Sequence, residues 1–140
     1  MRLADLPEVA HLEKSLYAFP WSVGNFRDSL TAGYECWTAT HGETLIGYAV
    51  VMIALDEAHL LNIAVASEWQ NQGIGRAFLH HLIEVARKAT CQIIYLEVRP
   101  SNLAARHLYR AVGFQQIAIR PEYYPAVTGR EDALFLGLAL

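Results

Sequence analysis

Gln70-Asn71-Gln72-Gly73-Ile74-Gly75-Arg76 is the stretch on which the reading of this chain turns. Before it, His59 to Val65 is an apolar run that reads as a strand; after it, Ile74 to Ala89 has the periodicity of an amphipathic helix. A loop with two glycines between a strand and a helix aims several backbone N–H groups at one spot. The helix dipole adds partial positive charge there, so the spot suits a phosphate. Glycine lets the phosphate reach the amides without a side chain in the way. No Lys-Ser or Lys-Thr pair follows the glycines, and no third glycine completes a dinucleotide fingerprint. The other reading of the same residues is a glycine-rich turn that only caps a helix.

The 140 residues suggest one domain, 1–140, around one core. A hydrophobic fraction of 54% and a charged fraction of 18% allow that core and argue against disorder. Net charge is −3 and the 11 basic residues form no block, which argues against a nucleic-acid partner. The longest apolar run, Tyr48 to Leu55, is too short to cross a bilayer, and Met1 to Pro7 lacks a signal-peptide core. No membrane association and a cytoplasmic location are therefore expected. Cys36 and Cys91 lack CxxC spacing and read as buried reduced thiols in strands. His11, His41, His59, His80, His81 and His107 show no His-Glu-x-x-His pair, so they read as scattered surface or half-buried residues and no metal is expected.

Asp5 can cap a helix with Pro7 in its first turn and Val9, Leu12 and Leu16, with Tyr17 beside them, on one face. Ala18-Phe19-Pro20-Trp21-Ser22 is a loop, and Ser22 can cap a second helix through Leu30. Phe19 and Trp21 read either as packing for the helix pair or as a wall of a substrate groove. Glu35–Thr40, Leu45–Leu55 and Leu60–Val65 form an antiparallel meander. After the loop, Phe78, Leu82, Val85 and Ala89 share a helix face, and Gln92–Val98 is a strand reached by a right-handed crossover. Ser101 or Asn102 caps a helix, Leu103–Val112, ended by Gly113. Phe114–Arg120 and Asp132–Leu140 are the last strands, joined by a connection containing Tyr123-Tyr124-Pro125. The result is an α/β (α+β) fold: a mixed central sheet, helices on both faces, and a ligand site where neighbouring parallel strands splay apart.

Glu97 stands among apolar neighbours at the end of a central strand. Desolvation would raise its pKa and make it a better proton acceptor; a salt bridge with Arg99 or another basic residue is the alternative. Tyr109 can donate a proton to a leaving group or simply pack beside Leu108, Val112 and Phe114. Asn102 is a helix cap or a free amide for a cofactor. Asn62, in an apolar strand, marks a bulge or points to solvent. No nucleophile has a placed partner, so direct transfer fits better than a covalent enzyme intermediate.

Together these pieces resemble the GNAT family of N-acetyltransferases over nearly the whole chain. The family-wide marks are the glycine loop and the Tyr109–Phe114 segment. Narrower marks are Ala18-Phe19-Pro20-Trp21-Ser22, Leu55-Asp56-Glu57-Ala58, Asn62-Ile63-Ala64-Val65 and Leu96-Glu97-Val98-Arg99. Ser101-Asn102, Tyr123-Tyr124-Pro125 and Gly129-Arg130-Glu131-Asp132-Ala133 complete them. They match the branch that acetylates the N-terminal alanine of a ribosomal protein. The resemblance implies acetyl-CoA as co-substrate, with backbone groups of Ile63, Ala64 and Val65 on its pantetheine arm. It assigns the pyrophosphate to Asn71, Gln72, Gly73, Ile74, Gly75 and Arg76, and a cofactor hydrogen bond to Asn102. Glu97 becomes the general base and Tyr109 the general acid. Phe19, Trp21, Tyr123 and Tyr124 become the groove for the N-terminal peptide of a ribosomal protein. The family's first strand would be missing or reduced to Met1–Leu3, and Asn71 stands where the family often has a basic residue. A small-amine acceptor on the same fold, and a non-catalytic acyl-CoA-binding module, are the alternatives. The sequence leaves oligomeric state open, with a monomer the simpler expectation.

Overall fold

Pro7 lies in the first turn of helix α1 (Leu6–Leu16), where its missing N–H breaks no hydrogen bond. Asp5 precedes that helix, but its carboxylate accepts from the Arg2 N–H of the short 3-10 turn Leu3–Asp5 rather than from α1. The computed structural model describes residues 1–140 and divides them into two compact units. One comprises Met1–Met52 and Leu61–His80; the other comprises Ile53–Leu60 and His81–Leu140.

In the first unit, Ser22 starts helix α2 (Val23–Thr31) with a reciprocal cap. Its Oγ accepts from the Asn25 N–H at 3.1 Å, and Asn25 Oδ1 accepts from the Ser22 N–H at 2.9 Å. Strand β1 (Glu35–His41) pairs antiparallel with β2 (Thr44–Ala54) through a bulge between Ala39 and Thr40. Leu6, Val9, Phe26, Tyr48, Val50 and Ala64 form the core of this unit. Each large apolar side chain buried there contributes about 1.5–3 kcal/mol. The ammonium of Met1 donates to the Cys36 carbonyl of β1. Gly47 has a specific reason to be glycine: a Cβ there would sit 2.6 Å from the Ala64 carbonyl oxygen.

In the second unit, residues Glu57–Leu60 of β3 (Glu57–Val65) pair parallel with Ile93–Leu96 of β4 (Ile93–Val98). β3 and β4 each run on beyond the last of those pairs, Leu60 with Leu96. β4 pairs antiparallel with β6 (Arg130–Ala139), and β6 with β5 (Gln115–Pro125). Along β4 the period of two is clean: Ile94, Leu96 and Val98 are buried, while Tyr95 and Glu97 point to the other face. Helix α4 (Leu103–Val112) is capped by Asn102, whose Oδ1 accepts from the Ala105 N–H, and ended by Gly113. With α3 (Ile74–Lys88) there are four α-helices and one mixed six-stranded sheet in the order β1-β2-β3-β4-β6-β5. No helix is long and apolar enough to cross a membrane.

Three expectations need correction. Tyr123-Tyr124-Pro125 lies at the end of β5, not in a connection. The ladder skips between Arg120 and Tyr124, Glu122 adopts φ +51°, and its N–H turns to Asp132 Oδ1 at 3.0 Å. Pairing then resumes at Tyr124–Glu131 and Pro125–Arg130, where an outermost strand tolerates proline. The buried face of α3 is Phe78, Leu79, Leu82, Ile83 and Ala86 rather than the stripe through Val85 and Ala89. Cys91 is buried but precedes β4; Cys36 is in β1 and half-buried, and burial pushes both thiols up.

Gly47→Ala should destabilise by about 1–3 kcal/mol, because the new methyl meets backbone rather than a movable side chain. Thermal unfolding should show the melting temperature falling by roughly 3–10 °C.

Candidate active site

The glycine loop begins where β3 ends. Gln70 Nε2 donates to the Val65 carbonyl at 2.9 Å, and Gln72 Nε2 donates to the Glu68 carbonyl at 3.2 Å. Both long amides therefore brace the loop from within. Asn71 has φ +60° and Gly73 φ +81°. Asparagine enters the left-handed region more readily than most residues, which gives Asn71 a conformational reason to stand there. A Cβ on Gly73 would meet no atom within 4 Å, so the space beside that residue is open. α3 starts at Ile74, and the N–H groups of its first turn have no acceptor within the helix. An open, left-handed loop feeding a helix start fits a pyrophosphate.

Upstream of the loop, the first unit is built on a carboxylate that local sequence patterns do not reveal. Glu13 of α1 is only 3% exposed. Its Oε1 accepts from Tyr48 Oη at 2.7 Å and from Asn62 Nδ2 at 2.9 Å. Its Oε2 accepts from the Trp21 N–H at 3.0 Å. Asn62 is half-buried, and its amide is turned to Glu13 rather than to solvent. Burial, and then Glu13, push the Tyr48 phenol far up. Tyr17 donates its hydroxyl to the Ile63 carbonyl at 3.3 Å. Although 37% of Tyr17 is exposed, burial and then the Glu13 charge push its phenol up to about 12. Ile63 and Val65, two of the three residues expected along the pantetheine arm, therefore already have carbonyls accepting side-chain donors. Trp21 packs against Phe26 with ring centroids 5.2 Å apart, while Phe19 is exposed.

The expected acid–base residues, Glu97 and Tyr109, both belong to the second unit. The Glu97 side chain is 11% exposed. His59 Nε2 lies 3.2 Å from Glu97 Oε2, and Arg120 Nη1 lies 3.8 Å from Oε1. The salt-bridge alternative is thus met by Arg120, while the Arg99 guanidinium sits 3.3 Å from Glu131 and 4.4 Å above the Tyr124 ring. The expected upward shift of Glu97 is also reversed. The His59 hydrogen bond, aided by the charges of His59 and Arg120, outweighs desolvation and holds the carboxyl below its usual value. Oε1 is buried without a hydrogen-bond partner.

Around this pair, Phe135 stacks on Tyr95 at 5.1 Å, and Arg120 lies 5.4 Å from Phe135 and 5.6 Å from Tyr123. Tyr123 and Tyr124 meet edge to face at 4.9 Å. Burial, then the Glu97 charge, push the Tyr124 phenol up, so ring and carboxylate share one environment. Glu131 explains the Gly-Arg-Glu-Asp-Ala mark. Its two oxygens accept from the Ser101 N–H at 2.9 Å and the Ser101 hydroxyl at 3.0 Å, while Arg99 also donates to the Pro125 carbonyl. The Ser101 hydrogen bonds lead in holding the Glu131 carboxyl low. Tyr109 is 6% exposed and meets Phe114 edge to face at 5.7 Å. Asn102 serves as the α4 cap through Oδ1. No cluster of His, Cys, Asp or Glu could hold a metal ion.

A profile described as the acetyltransferase (GNAT) family matches residues 6–114. The chain is 41% identical, over 100% of its own length and 95% of the other's, to the [ribosomal protein bS18]-alanine N-acetyltransferase of Escherichia coli K12. The crystal structure of the ribosomal-protein-S18-alanine N-acetyltransferase from Escherichia coli superposes with a TM-score of 0.93 at 41% identity, covering 99% of this chain and 90% of that one. At 20% identity, a protein of Salmonella typhimurium solved with its cofactor acetyl-CoA shares the fold, with a TM-score of 0.81 over 100% of this chain and 91% of that one.

Glu13→Gln sets an amide NH₂ against the Trp21 N–H in one orientation and against the Tyr48 and Asn62 donors in the other. Urea unfolding should show a loss of about 1–3 kcal/mol. At alkaline pH the stability tied to neutral Tyr17 is complete below its ordinary value of 10.0 and is lost as pH rises through about 12. An ultraviolet tyrosinate titration should show a phenol with a midpoint near 12 that Tyr17→Phe removes, while the Tyr48 and Tyr124 phenols, also pushed up, remain late in the variant.

Proposed function

The chain belongs to the acetyltransferase (GNAT) family, and on that premise we propose that it acetylates the N-terminal α-amine of ribosomal protein bS18 at its alanine. The observation that carries this reading is the 41% identity to the Escherichia coli enzyme across all 140 residues. The narrow Phe-Pro-Trp-Ser and Tyr-Tyr-Pro marks favour a peptide acceptor over a small amine.

In this reading acetyl-CoA supplies the activated acyl group as a thioester. Residues Asn71, Gln72, Gly73, Ile74, Gly75 and Arg76 hold its pyrophosphate with backbone amides, a role supported by the open space at Gly73 and the helix start at Ile74. Ile63, Ala64 and Val65 offer backbone groups to the pantetheine arm, and one amide there favours negative charge growing on the carbonyl oxygen. Asn102 offers its amide NH₂, since its oxygen caps α4. The aromatic side chains of Phe19, Trp21, Tyr123 and Tyr124 are each proposed as contacts for the acceptor peptide.

Glu97 takes the proton. An α-ammonium has a pKa near 8, so a carboxylate held below its ordinary value by the His59 hydrogen bond accepts that proton uphill. Glu97 compensates by being ionised throughout the working range. It attracts the ammonium and then takes the proton, through a water, at Oε1. Tyr109 returns a proton to the departing sulfur.

Purified protein with acetyl-CoA and a peptide carrying the bS18 N terminus should give a product heavier by one acetyl group, located at the α-amine by mass spectrometry. No acetylation of that peptide beside rapid acetylation of a polyamine or amino sugar would overturn the acceptor. Glu97→Gln should lower turnover about 10²-fold or more while acetyl-CoA binding survives, and Tyr109→Phe should slow thiol release.

A further inference from the structure

Glu97 can act as a base only if one oxygen faces the amine, yet a free carboxylate at a strand end rotates between several orientations. The side chain of His59 removes that freedom. His59 pairs with Tyr95 in the parallel β3–β4 register, so Glu97, two residues further along β4, is its diagonal neighbour on the same face. The imidazole lies 6.4 Å from Phe135, ring edge to ring face, and Phe135 is directly opposite Glu97 on β6. From there Nε2 reaches Oε2 at 3.2 Å. The two oxygens then differ: Oε2 has a hydrogen-bond donor within the chain, whereas Oε1 is buried and has none, the Arg120 guanidinium lying 3.8 Å away, in ion-pair range but beyond hydrogen-bond distance. A buried carboxylate oxygen without a donor is costly to maintain, and an incoming ammonium or its water supplies what is missing.

We infer that His59 is a positioning residue for the acetyl-transfer reaction, fixing Glu97 by a Nε2–H···Oε2 hydrogen bond so that Oε1 alone is presented to the acceptor amine. This rests on the reading of Glu97 as base. The ionised carboxylate selects the Nε2–H tautomer, and the imidazolium would donate from the same atom, so the bond forms in either protonation state. The other charged and titratable groups around the pair are Arg120 and Tyr124 on β5, with Tyr95 on β4. Among these, Arg120 supplies the only fixed charge. Nothing in the sequence pattern singles His59 out, since threonine or valine would suit the strand equally well.

The test compares His59→Leu with His59→Gln, whose amide nitrogen occupies nearly the place of Nε2 and can donate but cannot carry a proton. His59→Leu should lower kcat/KM for the peptide roughly tenfold or more while KM for acetyl-CoA changes less than twofold. In a carbon NMR titration of the Glu97 carboxyl, assigned by its loss in Glu97→Gln, the midpoint should rise in His59→Leu. The sign follows from the bond: a donor favours the carboxylate, so removing it favours the acid. His59→Gln should restore both quantities. His59→Thr replaces His59→Leu if the latter does not fold. Wild-type kcat/KM and an unmoved Glu97 titration in His59→Leu would overturn the inference. So would a folded His59→Gln that fails to restore activity, since His59 would then act by shape or proton transfer. Full activity in Glu97→Gln would instead sink the base role; an inactive Glu97→Gln beside an unperturbed His59→Leu would sink the His59 role alone.

Discussion

A buried carboxylate must collect its donors or the chain does not close around it, and Glu13 imposes that condition on the first unit. Its donors come from three places: the Phe-Pro-Trp-Ser loop through the Trp21 N–H, β2 through Tyr48, and β3 through Asn62. Hydrogen bonds to a charged group are worth about 1.5–3 kcal/mol each, so the three together offset a desolvation cost of several kcal/mol. The geometry they fix matters more than the net energy. One side chain sets where the aromatic loop lies relative to the Ile63–Val65 segment, which are the two parts of this unit proposed to meet peptide and cofactor.

The second unit uses its carboxylates differently. Glu131 is clamped by Ser101 and Arg99, which ties the start of α4 to the end of β5 and holds Tyr124 under a guanidinium. Glu97 has a hydrogen-bond donor at Oε2 only, with the Arg120 guanidinium 3.8 Å from Oε1. The lowered basicity of Glu97 follows from the same asymmetry, because the donor that orients it also stabilises its charge.

Most of the fold was legible because it is written in local patterns. Ser22 and Asn102 cap the helices that their positions announce, Gly113 ends α4, and the period of two along β4 separates Glu97 from Leu96 and Val98. The glycine loop was readable for the same reason. What escaped was set by pairs distant in the chain. Glu13 and Asn62 are 49 residues apart, and His59 and Glu97 are 38 apart. Glu13 resembles any polar residue on an amphipathic helix, and only its unusual partners mark it. Desolvation of Glu97 was a fair inference from its neighbours, but a single donor from an adjacent strand reversed the sign. Tyr123-Tyr124-Pro125 read as a loop because proline ordinarily interrupts strands; its place on the outermost strand removes the objection.

That outermost strand has one more consequence. β5 is last in the strand order, so its far side has no neighbour within the sheet. A long row of free peptide groups beside Ile117 and Ile119, both more than half exposed, would be a template for fibrillar stacking. Pro121 and Pro125 lack the N–H that such stacking would recruit, and the left-handed kink at Glu122 bends the row between them. The irregularity that delivers Tyr123 and Tyr124 to their places also keeps neighbouring molecules from zipping along this flank.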